Sequence, residues 1–237
     1  DGDTFGQFSS VNAKPAPGRT PTSGLVSFEI RDYNRSTNKM LRDPAAELIG
    51  TSPQTVELKA EINRIASCDS KVLVTGESGT GKELAARAIH AGSLRKHRPF
   101  VAMNCAGLPD TLLESELFGH TNGSFTGAHR DKAGKFEIAH LGTVFLDKID
   151  EMTLRMQGLL LRFFETGELQ KVGADHVTNA SPDCRVVAAT NRDLRDLIAE
   201  GQFREDLFYR LNVVQLDLPP LRDRGEDVVT LARHFVA

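Results

Sequence analysis

The chain has 237 residues, 40% hydrophobic and 26% charged, which suits one globular domain with a full core plus some extra chain. A net charge of −3 excludes a global pull toward nucleic acid or anionic membrane, and no apolar run reaches the length of a membrane span or signal peptide. Cys68, Cys105 and Cys184 lack CxxC spacing and read as reduced thiols of a cytoplasmic protein, excluding a disulfide framework or a zinc site.

Residues 1–44 are rich in Gly, Pro, Ser, Thr and Asn and read as a linker or disordered segment, with "LVSFEI" the one stretch of strand character. A domain is expected over 45–237. Its first element is "TVELKAEINRIA", where Val56, Leu58, Ile62 and Ile65 hold helical spacing. Apolar runs then follow at "KVLVTG", "FVAMN", "TVFLD", "RVVAATN" and "VVQLDL", separated by the helical stretches "GKELAARAIHAG", "LRMQGLLLRFFETG" and "REDLFYRL". This alternation predicts an α/β fold with a five-stranded, mainly parallel sheet covered on both faces, and ligands bound at the carboxyl ends of its strands. The chain opens without methionine and closes inside "EDVVTLARHFVA", where Val228, Leu231 and Phe235 keep helical spacing without a C-cap. A fragment of a longer protein is therefore expected.

"VLVTGESGTGKE" has the order of a phosphate cradle: strand, glycine-rich loop, lysine, helix. Gly76, Gly79 and Gly81, with Glu77, Ser78 and Thr80 between them, are expected to turn backbone N–H groups toward phosphate oxygens. Lys82 would reach the terminal phosphates, and the positive end of the following helix adds to the field. Glu83 stands where the general motif has a magnesium-binding hydroxyl. Asp147, ending "TVFLD", is the natural Mg²⁺ carboxylate, held through water. Phe125, among the small residues of "GSFTGA", is an odd choice for a solvent loop and suggests a contact site. The seven histidines show no ligand spacing, so surface or core packing is the default for each.

"GESGTGKE", "ELFGH…GSFTGA", "GTVFLDKIDEM", "AATNRDL" and "FREDLFYRLNVVQLDLPPLRDR" occur in that order. Together they resemble the central AAA+ domain of sigma-54-dependent transcriptional activators, the bacterial enhancer-binding proteins, over about Glu47 to Ala237. The loop, usually written GAFTGA, is specific to that family, and glutamate after the P-loop lysine is its habit. The resemblance implies a P-loop NTPase that forms a hexameric or heptameric ring and binds ATP with Mg²⁺. Hydrolysis would move the loop Gly123, Ser124, Phe125, Thr126, Gly127, Ala128 against sigma-54, with Phe125 and Thr126 the contact and Ser124 replacing the usual alanine. It further implies Ile49 and Gly50 in the adenine pocket and Thr190 and Asn191 as the strand-end sensor of the γ phosphate. Arg204 and Arg210 would be arginine fingers reaching a neighbouring subunit, and Asn104 the asparagine that holds the catalytic glutamate. A helical lid with a further sensor arginine, a DNA-binding domain and any sensory domain would lie outside this chain, and no membrane contact is implied.

Each residue role has a plainer rival. Arg204 and Arg210 would also suit a solvated helix face beside Glu205 and Asp206. Asn104 and Asn191 would also suit strand-end caps.

Lys148 breaks the pattern. The family has glutamate after the strand-end aspartate, the group that polarises the attacking water. An ammonium donates only and cannot take a proton from water, though a cation near a triphosphate favours binding. Asp150 and Glu151 lie beyond the strand end as possible stand-ins. Two readings follow: an ATP-hydrolysing module that remodels sigma-54, or a nucleotide-binding assembly module with little or no hydrolysis. A P-loop kinase is a third, weaker reading, since no acceptor-substrate site is evident.

Overall fold

The computed structural model describes residues 48–125, 127–174 and 181–236. The expected N-terminal linker, the "LVSFEI" strand, the boundary at 45 and Thr126 lie outside them.

Helix α1 (Pro53–Ala66) starts where Ser52 accepts the Thr55 N–H and proline occupies the first turn. Of its buried residues, Leu58, Ile62 and Ile65 join the apolar layer over the sheet, while the Thr55 hydroxyl donates to Asp227. Then come β1 (Val72–Thr75), α2 (Lys82–Ala91), β2 (Phe100–Asn104) and α3 (Asp110–Phe118). A short antiparallel pair, β3 (Gly119–His120) and β4 (Lys132–Ala133), precedes α4 (Lys135–Ile138). β5 (Thr143–Asp147), α5 (Leu154–Thr166), β6 (Arg185–Thr190), α6 (Leu194–Ala199), α7 (Glu205–Leu211), β7 (Val214–Asp217) and α8 (Asp227–Val236) complete the order.

The five long strands lie in the order β2-β5-β6-β1-β7, all parallel. Side chains alternate along each strand between two apolar layers, as a sheet covered on both faces requires. Val72, Val74, Phe145, Val187 and Ala189 pack under α1 and α2. Leu73, Val144, Leu146, Val186 and Ala188 pack against α3, α5 and α7. Arg185, 2% exposed, fastens one layer to the sheet by donating to Ile65 O (2.9 Å), Ala66 O and Ser70 O where α1 ends.

His90 of α2 is fully buried, 2.9 Å from Thr143 Oγ1 and tilted against Phe100. Burial is the largest influence on it and lowers its pKa from 6.5 to about 4. The unfolded chain therefore binds more protons through that interval, and stability is lost as pH falls from 6.5 toward 4. The loss should be about 3 kcal/mol in urea titrations and should flatten in His90→Gln. An unchanged slope in the variant would assign acid sensitivity elsewhere.

Candidate functional site

The P-loop leaves β1 at Thr75 and enters α2 at Lys82. Gly76, Gly79 and Gly81 have φ of +148°, +81° and +95°, where L side chains are strained. A Cβ on Gly76 would also come within 2.8 Å of Leu218 O. Lys82 Nζ donates to Gly76 O (2.7 Å) and Glu77 O (2.9 Å), so its ammonium sits over the loop. Burial pulls its pKa below the ordinary lysine value, opposed by Asp147 and Asp150. Glu83 is held by Arg87 at 2.6 Å, one turn along α2.

Parallel register aligns the strand ends. Asn104 pairs with Asp147, and Thr75 pairs with both Thr190 and Asp217, so all five residues stand on one edge of the sheet. Burial raises the Asp147 pKa, offset by the Lys148 N–H, which donates to it at 3.0 Å, and by Lys82. Asn104 Oδ1 accepts from Ala106 N–H at 2.9 Å, the strand-end cap foreseen as its plainer role, while its backbone remains beside Asp147. Thr190 is buried and donates to Asp150 Oδ1 at 2.7 Å, and Asn191 follows it at the surface.

Lys148 turns the chain at the strand end with φ +53°, ψ +51°, uncommon outside glycine. Its Nζ lies 3.4 Å from Glu151, both side chains about two-fifths exposed. Thus the two neighbouring acids are already engaged: Asp150 with Thr190, Glu151 with Lys148.

The remaining expected residues lie on other elements. Gly50 is buried at the start of α1, with Ile49 half-buried beside it. Arg204 caps α7 and forms a two-pronged pair with Asp206 (3.0 and 2.7 Å), and Arg210 donates to Phe164 O at 3.1 Å. Neither contacts the P-loop of its own chain through the hydrogen bonds described. Arg222, in the "LPPLRDR" that closes the last of the five motifs, had no expected role of its own. It grips Glu77 of the P-loop with two bonds, 2.8 and 2.6 Å, at the surface.

The "GSFTGA" loop rises from β3 and β4, and Val172 joins their edge, with its N–H on Gly119 O and its carbonyl accepting from Thr121 N–H. Gly123 N–H donates to Ala128 O at 2.7 Å, closing the loop. Phe125 is 36% exposed and meets the His120 ring edge-on at 5.0 Å. Ser124 presses on Gly173, and its buried hydroxyl has no partner among the described residues. Ser124→Ala should therefore be neutral or stabilising by up to about 1 kcal/mol in thermal melts. A clear loss of stability would reveal a partner for that hydroxyl.

Among the described residues no three His, Cys, Asp or Glu converge as a metal cluster, and no helix is long and apolar enough to cross a membrane.

A parallel sheet with a glycine-rich loop at its second-last strand and an acid and a polar residue at neighbouring strand ends defines an α/β P-loop NTPase of the AAA+ class. The family described as "Sigma-54 interaction domain" matches residues 48–217. The anaerobic nitric oxide reductase transcription regulator NorR of Citrobacter koseri is 54% identical over 189 residues, 80% of this chain and 37% of that protein. The regulator of the same name from Escherichia coli strain K12 is 52% identical over the same length and shares. Crystal structures of NtrX from Brucella abortus, with ATP and with ADP, superpose with TM-score 0.74 at 38% identity, covering 89% of this chain and 48% and 45% of those chains. The chain belongs to the sigma-54 interaction domain family of transcriptional activators, and spans a little over a third of the length of these curated relatives.

Proposed function

We propose that the chain is the Mg-ATP-binding module through which a sigma-54 activator engages its polymerase, with hydrolysis slowed by Lys148. The observation that carries this reading is the shared edge of P-loop, Asp147 and Thr190, from which the phosphates of a nucleotide could be held together. The residues fit the group. The positive-φ glycines give the loop the backbone turns a phosphate nest requires, and the described hydrogen bonds of Lys82 Nζ go to loop carbonyls that a phosphate could replace. The partly buried Asp147 would hold Mg²⁺, which would neutralise phosphate charge. Ile49 and Gly50 would line the adenine pocket, Thr190 and Asn191 would sense the terminal phosphate, and Asn104 would stand where the family's asparagine holds its catalytic glutamate.

Arg204 and Arg210 make their described side-chain hydrogen bonds to Asp206 and to Phe164 O and not to the P-loop of their own chain, which supports their serving a neighbouring subunit in a ring. Phe125, half-presented on a hydrogen-bonded loop, would be the contact with sigma-54, together with Thr126. The ion pair between Lys148 and Glu151 favours the reading in which the assembled subunit holds nucleotide for long periods.

Sigma-54 capture in the presence of a non-hydrolysable ATP analogue tests the proposal. The unaltered chain should retain sigma-54, and Phe125→Ala should reduce capture by at least about tenfold, as loss of a central aromatic anchor does. Equal capture without nucleotide, or by the variant, would refute the loop assignment.

A further inference from the structure

Arg224 and Asp227 lie three residues apart, between the turn Leu221–Asp223 and the first turn of α8, and are 4% and 1% exposed. Buried charges are costly unless well partnered, so the partners reveal what these two hold. Arg224 Nη2 donates to the carbonyl of Thr80, inside the P-loop, at 2.7 Å, and its Nε to Pro219 O at 3.0 Å. Asp227 receives four donors from the segment before α1 and from the first turn of that helix. Its Oδ1 accepts the N–H groups of Thr51 (2.7 Å) and Ser52 (3.0 Å), and its Oδ2 the hydroxyls of Ser52 and Thr55, both at 2.6 Å. Burial alone would raise the carboxyl pKa; these bonds hold it well below the carboxylate range.

Gly50 backs directly onto this carboxylate, and a Cβ there would fall within 2.7 Å of Asp227 Cγ. Leu48 meanwhile lies beside the P-loop, 3.7 Å from where a Cβ on Gly81 would stand. One short stretch thus grips two segments that are remote from it in the chain: Asp227 the backbone of 51–52, Arg224 the phosphate loop.

We propose that Arg224 and Asp227 are positioning residues that set the segment Leu48–Ser52 in register with the P-loop, so that recognition of the base and ribose half of a nucleotide depends on them. This rests on the nucleotide reading above. The two halves of the ligand separate the roles. Tripolyphosphate engages the loop alone, whereas ADP engages both segments.

Asp227→Asn keeps the shape but gives up the charge and part of the acceptor set. It should weaken ADP about tenfold, the effect of losing one charge-assisted bond, and leave tripolyphosphate within about twofold. Thr55→Val, which removes a single donor, should weaken ADP about threefold with the same selectivity. Arg224→Gln should weaken both ligands. All are measured by displacement of a fluorescent ADP analogue, with the thermal midpoint recorded beside it. ADP affinity unchanged in Asp227→Asn, or both ligands weakened equally as the midpoint collapses, overturns the positioning role. Unchanged tripolyphosphate binding in Arg224→Gln overturns the part given to Arg224. If the unaltered chain binds tripolyphosphate but no ADP, the nucleotide reading itself fails and the inference falls with it.

Discussion

Lys148→Glu should raise steady-state ATP turnover by at least about tenfold and by as much as about 10⁴-fold, with ATP-analogue affinity changed little. The range corresponds to roughly 1.4–5.5 kcal/mol of barrier, and its upper part is the usual contribution of a positioned general base. Position 148 follows Asp147, whose strand pairs residue for residue with β2 and sets Asn104 opposite it. A carboxylate introduced there would stand next to Asp147, the acid proposed to hold Mg²⁺, and the asparagine expected to hold it. The local acids offer no replacement, because Asp150 is buried under the Thr190 hydroxyl and Glu151 pairs with Lys148 itself. The substitution also releases Glu151, so the double variant Lys148→Glu, Glu151→Gln should keep the gain. Equal turnover in the unaltered chain and the Lys148→Glu variant would mean that another group takes the proton, and that the slow-hydrolysis reading is wrong.

The largest loss of stability is expected from Phe136→Ala, about 3–5 kcal/mol in denaturant titration. Phe136 is fully buried on the one-turn helix α4, with ring centroids 4.3 Å from Phe163, 5.6 Å from Phe118 and 6.4 Å from Phe164. Such rings contribute both buried area and geometry. The consequence reaches function, because Phe118 ends the helix leading into β3 and α4 begins just after β4. This aromatic cluster is the footing of the "GSFTGA" loop. The variant should lose sigma-54 capture before it loses ADP binding, as urea is raised. Loss of both at one urea concentration would show that footing and nucleotide site unfold as a unit.

The long strands and the phosphate loop were legible because their physics is local. A strand buried on both faces must be apolar throughout, and a loop of left-handed glycines followed by lysine has few other uses. The regions that escaped notice have weaker or distant causes. α3 carries Leu112, Leu113, Leu117 and Phe118 without a sustained helical stripe, and β3 and β4 have two residues each, too short for any period to show. Lys148 stood out from its neighbours by charge alone, yet its left-handed backbone had no sequence sign. Arg224 and Asp227 were unreadable for another reason. In "RDRGED" they resemble solvent charges, and only their partners, more than a hundred positions earlier in the chain, take them out of water.

The strand order has one more consequence, for how the protein is made. β1 carries the phosphate loop and is synthesised more than a hundred residues before its sheet partners, which begin at Val187 and Val214. Until those strands are synthesised, both edges of β1 present unpaired backbone groups, and loop closure over so long a span is slow. The nascent chain therefore passes through a stage rich in apolar, unpaired strand, the condition under which intermediates aggregate. Chaperone dependence should fall sharply once translation has delivered Asp217, the last residue of β7.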